Sequence, residues 1–168
     1  MTKYLLDSNA LIDAYDKLYP IGVFGSVWEW LITSKKFFIT KQVYEELMAY
    51  DGDLKIWIQG HFEKNELIDE FIAVQEYALV ADFLTSSGYW SEAGSGLWLN
   101  TSKTDPWLIA YGMHDSDCVI VTHENSSNPN PNSNSNSRKE PKIPFVASKN
   151  NVQVQHLWEV FSNENAVF

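Results

Sequence analysis

Four places in the chain put carboxylates where a sheet protein can gather chemistry. Asp7 closes the apolar run 3–7, KYLLD. Glu45 and Glu46 fall in the first turns of a helix expected after the run 37–40, FFIT. Asp105 opens the helix that precedes the run 118–122, CVIVT, and Glu124 follows that run by two residues. These positions are far apart in the chain, yet a parallel sheet carries the ends of its strands to one edge, where ligands collect. Carboxylates crowded together raise one another's pKa, and a divalent cation relieves the repulsion. A donor set of oxygens with no His or Cys suits Mg²⁺ or Mn²⁺. Such an ion activates water and steadies the charge on a phosphodiester in transit. Each acid also has a plain structural use. Asp105 before Pro106 can cap a helix, and Glu45 and Glu46 suit a helix N-terminus on dipole grounds. Only the joint placement of all of them points to a metal.

The elements that must position these acids are short. Strands are expected at 3–7, 37–40, 118–122 and 152–154. Between them the apolar residues recur with helical period. A helix starts at Asn9; Phe24, Val27, Trp28 and Leu31 share one face; Val43 and Leu47 begin a helix that ends near Gly52. Leu54, Ile58 and Phe62 suit another, Phe71, Val74, Ala78 and Ala81 a further one, and Leu157, Trp158 and Phe161 the last. Residues 86–104 show no period and read as irregular. Strands alternating with helices predict an α/β fold, a three-layer sandwich with a mainly parallel central sheet of four to five strands. Residues 1–168 read as a single domain. The Asn/Ser/Pro tract that fills 125–138 reads as a flexible loop packed against nothing.

The same residues resemble the motifs of PIN-domain nucleases. YLLDSNALIDAY is similar to their opening motif, a strand ending in Asp-Thr/Ser-Asn before an apolar helix. VYEELM resembles the second, TDPWLIAYGM the third, and VIVTHE the fourth, a strand closing in Thr-x-Asp. Order and coarse spacing agree from residue 3 to about 124. KIPFVASKNNVQV is similar to the closing segment of a toxin-like, largely uncharacterised branch of these PIN-like proteins. The resemblance implies an acidic site of Asp7, Glu46, Asp105 and Glu124, with Glu46 preferred to Glu45 because it directly precedes Leu47. Asn9 would hold the Asp7 loop and Thr122 would lie beside the ion. Glu124 departs from the family's more usual Asp.

What the resemblance implies is a Mg²⁺- or Mn²⁺-dependent endoribonuclease, the toxin of a toxin–antitoxin pair. Water would attack phosphorus in line, without a covalent enzyme intermediate. RNA would be the substrate and a small antitoxin protein the partner, with homodimer formation left open. The alternative is a catalytically silent PIN-like protein-interaction module. A net charge of −10, the lone arginine Arg138 and the glutamate at 124 favour that alternative. Nucleic-acid binders usually carry a basic footprint, whereas residues 51–100 hold nine carboxylates against Lys55 and Lys64.

Other constellations narrow the classes. His61, His114, His123 and His156 lack zinc spacing, and the single Cys118 excludes an internal disulfide framework. No glycine-rich phosphate loop is present. An aspartyl phosphotransferase would want Asp where Asn9 stands. His123 reads as an exposed residue within reach of an RNA phosphate, and Lys35, Lys36 and Lys41 as a small phosphate-steering group. Trp28, Trp57, Trp107 and Trp158 read as core, while Tyr89, Trp90 and Trp98 are candidates for base stacking. No apolar run reaches the roughly 18 residues that span a bilayer, and no secretion pattern opens the chain. A cytoplasmic protein without a membrane partner is expected.

Overall fold

The computed structural model describes residues 2–100, 102–126, 129 and 137–168. Four strands form one all-parallel sheet: β1 (Lys3–Leu6), β2 (Phe37–Phe38), β3 (Cys118–Val121) and β4 (Gln153–Gln155), in the order β2-β1-β3-β4. Successive strand residues point to opposite faces. Tyr4, Leu5 and Leu6 are buried in turn, as are all four residues of β3, so both faces are covered. That is the requirement a parallel sheet imposes, and it makes the fold the expected α/β three-layer sandwich. Leu6 pairs with Val121, and Val121 with Gln155, so the strands end level with one another.

The covering helices are α1 (Ser8–Asp13, widened into a π turn through Leu18), α2 (Gly25–Thr33), α3 (Lys41–Ala49), α4 (Asp53–His61), α5 (Val74–Ser86, after a 3₁₀ turn at Glu70–Ala73), α6 (Glu92–Gly96), α7 (Thr104–His114), α8 (Ile143–Lys149) and α9 (Leu157–Asn163). Local chemistry sets their starts. The Thr40 hydroxyl accepts from Val43 N–H at 3.2 Å, and the buried Glu70 carboxylate accepts from Lys41 and Gln42 N–H at 3.1 and 3.2 Å. The N-terminus of α3 is therefore satisfied from two sides. Helix α7 is apolar all round, with Pro106 through Gly112 buried, as expected of a helix enclosed by others. Gly112 lets it lie close to β4: a Cβ there would stand 2.5 Å from Val152 Cγ1. No helix among the described residues is long and apolar enough to cross a membrane.

Several expectations are corrected. The second strand stops at Phe38, and Thr40 makes only an isolated bridge, to Ile68. The buried face of α5 is not Phe71, Val74 and Ala78 but Ala73, Val80 and Leu84; Phe71 and Val74 are more than half exposed. Both faces have helical spacing, and α7 packs on the second. Residues 86–104 are not all irregular. Ser91 caps the short α6, accepting from Gly94 N–H at 3.2 Å. Helix α7 begins at Thr104, so Lys103 rather than Asp105 takes the cap position. Of the 125–138 loop, residues 127, 128 and 130–136 lie outside the described residues. Its far end does pack: Ser137 bridges Trp90 and exchanges hydrogen bonds with Tyr89 and Ser91. Gly94 makes room for it, since a Cβ there would overlap the Ser137 carbonyl.

Candidate active site

The strand order places a crevice. From β1 the chain moves outward to β2, then crosses back past β1 to β3 and outward again to β4. The C-terminal ends of β1 and β3 thus flank the topological switch point, the usual ligand position in open parallel sheets. Asp7 directly follows β1 and Thr122 directly follows β3. Asp7 N–H donates to Val121 O at 2.9 Å, which pins the two strand ends together.

Asp7 is buried there and held from one side. The Thr122 hydroxyl lies 2.8 Å from Asp7 Oδ2 and 3.0 Å from Asn9 Oδ1, sharing its proton between them. Asn9 Oδ1 also accepts from His123 N–H at 3.0 Å, and Glu124 N–H donates to the Thr122 oxygen at 3.2 Å. Asn9 and Thr122 therefore fix the loop geometry around Asp7, while among the described residues Asp7 Oδ1 meets only the Ser8 hydroxyl, at 3.5 Å.

The other acids arrive by helix direction. Helix α7 runs back along β3 after a connection of residues 115–117, so its first turn stands at the C-terminal end of the sheet. That brings Asp105 to the crevice. Glu46, on α3, is exposed on its own helix but accepts a short hydrogen bond from the Thr104 hydroxyl, beside Asp105. Glu124 has both oxygens engaged, with Lys142 Nζ at 2.9 Å and Ile143 N–H at 2.8 Å. Glu45 is exposed and lines a separate cleft with Lys41 and Lys64.

The charges of Asp105, Glu124 and Glu46 all reach Asp7, and that of Glu124 reaches Asp105. Burial, then the charge of Asp105, and then those of Glu124 and Glu46 push the Asp7 carboxyl up to about 7, against the opposing Thr122 hydrogen bond. Burial lifts Asp105 to about 6; Lys103 opposes this, while Glu124 and Glu140 add to it. An excess of negative charge is thus confined at the switch point. Two lysines offset part of it. Lys103 Nζ bridges Asp105 at 3.1 Å and Glu140 at 2.6 Å, and Lys142 pairs with Glu124. No three of the His, Cys, Asp and Glu side chains among the described residues stand in ready metal-binding geometry. The donor chemistry nevertheless fits Mg²⁺ or Mn²⁺: oxygens only, two of them on carboxyls that burial raises first and neighbouring carboxylates raise further, and one, Asp7 Oδ1, with only a 3.5 Å contact to the Ser8 hydroxyl among the described residues.

Residues 4–168 match one family model, described as a domain of unknown function, DUF4411. The chain belongs to the DUF4411 family. The match runs through every strand of the sheet and every candidate acid, so in this DUF4411 chain the site lies within the family's own extent. No curated protein and no solved structure matches it.

Some candidate ligand contacts change. His123 is half-buried rather than exposed, and neither ring nitrogen has a partner among the described residues. Burial and the neighbouring His156 lower its pKa, so it is neutral at pH 7 and no phosphate-binding cation. Lys36 precedes β2, at the end of the sheet away from Asp7, and pairs with Glu164; Lys41 pairs with Asp69 at 2.6 Å. Trp90 and Trp98 are core residues rather than stacking platforms, and Trp158 is exposed rather than core. Missed by sequence reasoning were Thr104, Lys103, Lys142 and Glu140. A weak signal existed for Lys103, which is adjacent to the Thr-Asp-Pro helix start; nothing in the sequence pointed to Glu140.

Proposed function

We propose that this protein is a divalent-metal-dependent endoribonuclease of the PIN-like kind, a cytoplasmic toxin with a small antitoxin protein as its partner. The observation that carries the proposal is the meeting, at the switch point of a parallel sheet, of the buried Asp7 with the partly buried Asp105, whose charge, after burial itself, pushes the Asp7 carboxyl up to about 7. Like charges crowded there oppose one another; a cation relieves them. Asp7, Glu46 and Asp105 would hold it, with Glu124 beside them. A bound Mg²⁺ or Mn²⁺ would supply Lewis acidity toward a phosphodiester. Thr122 and Asn9 orient Asp7 so that Oδ1 faces away from its own hydrogen bonds. Thr104 positions Glu46 next to Asp105. A polar cleft of about 310 Å³ borders Glu124, with Ser126, Gln155 and His156 on its walls.

One set of observations favours the alternative, a catalytically silent interaction module: Lys103 and Lys142 already neutralise Asp105 and Glu124. Two measurements separate the readings. Mn²⁺ is expected to raise the melting temperature by the linkage RT ln(1 + [L]/Kd), and to do so far less in Asp7→Asn. A mixed RNA pool is expected to be cut in the presence of Mn²⁺ and left intact by Asp105→Asn. Equal Mn²⁺ responses in both proteins, or cleavage that survives Asp105→Asn, would remove the site from consideration.

A further inference from the structure

Resting on the nuclease reading, we infer that Lys103 is the residue that binds the scissile phosphate, its ammonium passing from Asp105 to the RNA when Asp105 takes up a divalent cation. The nuclease needs a cation that meets substrate, and the chain is poor in them, with 12 basic residues against 22 acidic ones. Of the lysines considered for phosphate steering, Lys36 and Lys41 are committed to Glu164 and Asp69. Two others stand at the acids. Lys142 is paired with Glu124, whose other oxygen receives Ile143 N–H, so that pair is closed on both sides and braces the start of α8.

Lys103 is built differently. Its amine is shared between a carboxylate of the site, Asp105 at 3.1 Å, and one outside it, Glu140 at 2.6 Å. Were Asp105 to hold a divalent ion, the Lys103 ammonium beside that carboxylate would be repelled from it, and Glu140 would still hold the amine at the rim. An ammonium has three donors on a flexible stem, so Lys103 can keep Glu140 and still present a proton to a non-bridging phosphate oxygen. The residue occupies the cap position of α7, two residues before Asp105, so the backbone that delivers the acid also delivers the base. About a third of the side chain is exposed, so it is accessible to a polymer.

The test uses the full chain, MnCl₂ and a fluorescein-labelled single-stranded RNA. Mn²⁺ affinity is read from thermal shifts, RNA affinity from anisotropy with Ca²⁺ present, and cleavage under single turnover with Mn²⁺. Lys103→Met is expected to bind Mn²⁺ several-fold more tightly, because a competing cation has left. It is also expected to bind RNA several-fold more weakly and to cleave about a hundredfold more slowly, the usual loss for one charge-stabilising donor. Lys103→Arg restores most of the RNA affinity. Glu140→Gln shifts Mn²⁺ affinity the opposite way, because the amine then rests on Asp105 alone; that variant carries the test if Lys103→Met fails to fold. A lysine that merely neutralises Asp105 would give tighter Mn²⁺ binding with RNA affinity and rate unchanged, and that result overturns the inference alone. An unsubstituted protein that neither binds Mn²⁺ nor cuts RNA overturns both this inference and the nuclease reading.

Discussion

Asp7 concentrates the physics of the site in one side chain. An unfolded chain returns its carboxyl to about 3.8, whereas the folded metal-free protein holds it at about 7. The native state therefore binds the proton more tightly. Its contribution to stability is complete below pH 4 and is lost as pH rises through 7. One pKa unit corresponds to about 1.4 kcal/mol, so burying the charged form opposes folding by a few kcal/mol at pH 8. Metal-free protein is expected to melt at a lower temperature at pH 8 than at pH 5, and Asp7→Asn to reduce that slope and raise the melting temperature at pH 8. Added Mn²⁺ should restore the wild type at pH 8 and leave the variant unmoved. Thr122 makes a separate prediction. Thr122→Val strips a partner from Asp7, Asn9 and the Glu124 N–H together. Leaving buried polar groups unpaired costs about 1–3 kcal/mol, which urea unfolding would show as a lower midpoint at unchanged slope.

At the scale of elements, close approach decides more than propensity. In an exposed helix Gly→Ala gains about 1 kcal/mol. Gly112 in α7 is different, because the new methyl would meet Val152 Cγ1 at 2.5 Å, and Val152 is a buried, β-branched residue with little rotamer freedom. Gly112→Ala is expected to destabilise by about 1–3 kcal/mol, the range for overpacking, as measured by denaturant unfolding. The same displacement would tilt α7 and with it Asp105, so Mn²⁺ affinity should fall in parallel. Helix α5 shows the complementary case. What buries Val80 and Leu84 while leaving Val74 more than half exposed is the helix it lies against, α7, on whose Trp107 the partly exposed Phe71 ring also packs at 4.9 Å.

For the whole molecule, charge is the governing quantity. With a net charge of −10, the surface repels RNA at long range. On the nuclease reading, RNA affinity would have to come from the site itself, through a bound cation and Lys103. Single-stranded nucleic acid contributes a log–log salt slope of about −0.7 per phosphate neutralised. With Lys103 alone able to leave its partner for a phosphate, the expected slope is roughly −0.7, shallower than that of basic nucleic-acid binders. Anisotropy titrations at stepped KCl with Ca²⁺ held constant would measure it. A slope several times steeper would mean that an unrecognised basic surface takes part.

Much of this was legible in the chain alone. Short apolar runs located the four strands of the described residues and period-3.6 patterns most of the helices, and strand–helix alternation determined the parallel three-layer fold, because burial on both faces leaves a continuous apolar imprint in β1 and β3. Asp7, Glu45, Glu46, Asp105 and Glu124 stood out because each lies at the end of a strand or near the start of a helix, and a parallel sheet sends those places to one edge; Asn9, Thr122 and the preference for Glu46 came from the motif resemblance alone. Tertiary structure alone decided the rest. Whether Phe71 or Leu84 faces inward depends on a neighbour far away in sequence. Residues 143–149, for which the sequence predicted no element, form α8. The pairing of Lys103 with Glu140, 37 positions away, arises only when the chain closes on itself. Local pattern is written residue by residue; the choice between partners of equal chemistry is made by distance, and distance exists only in the folded chain.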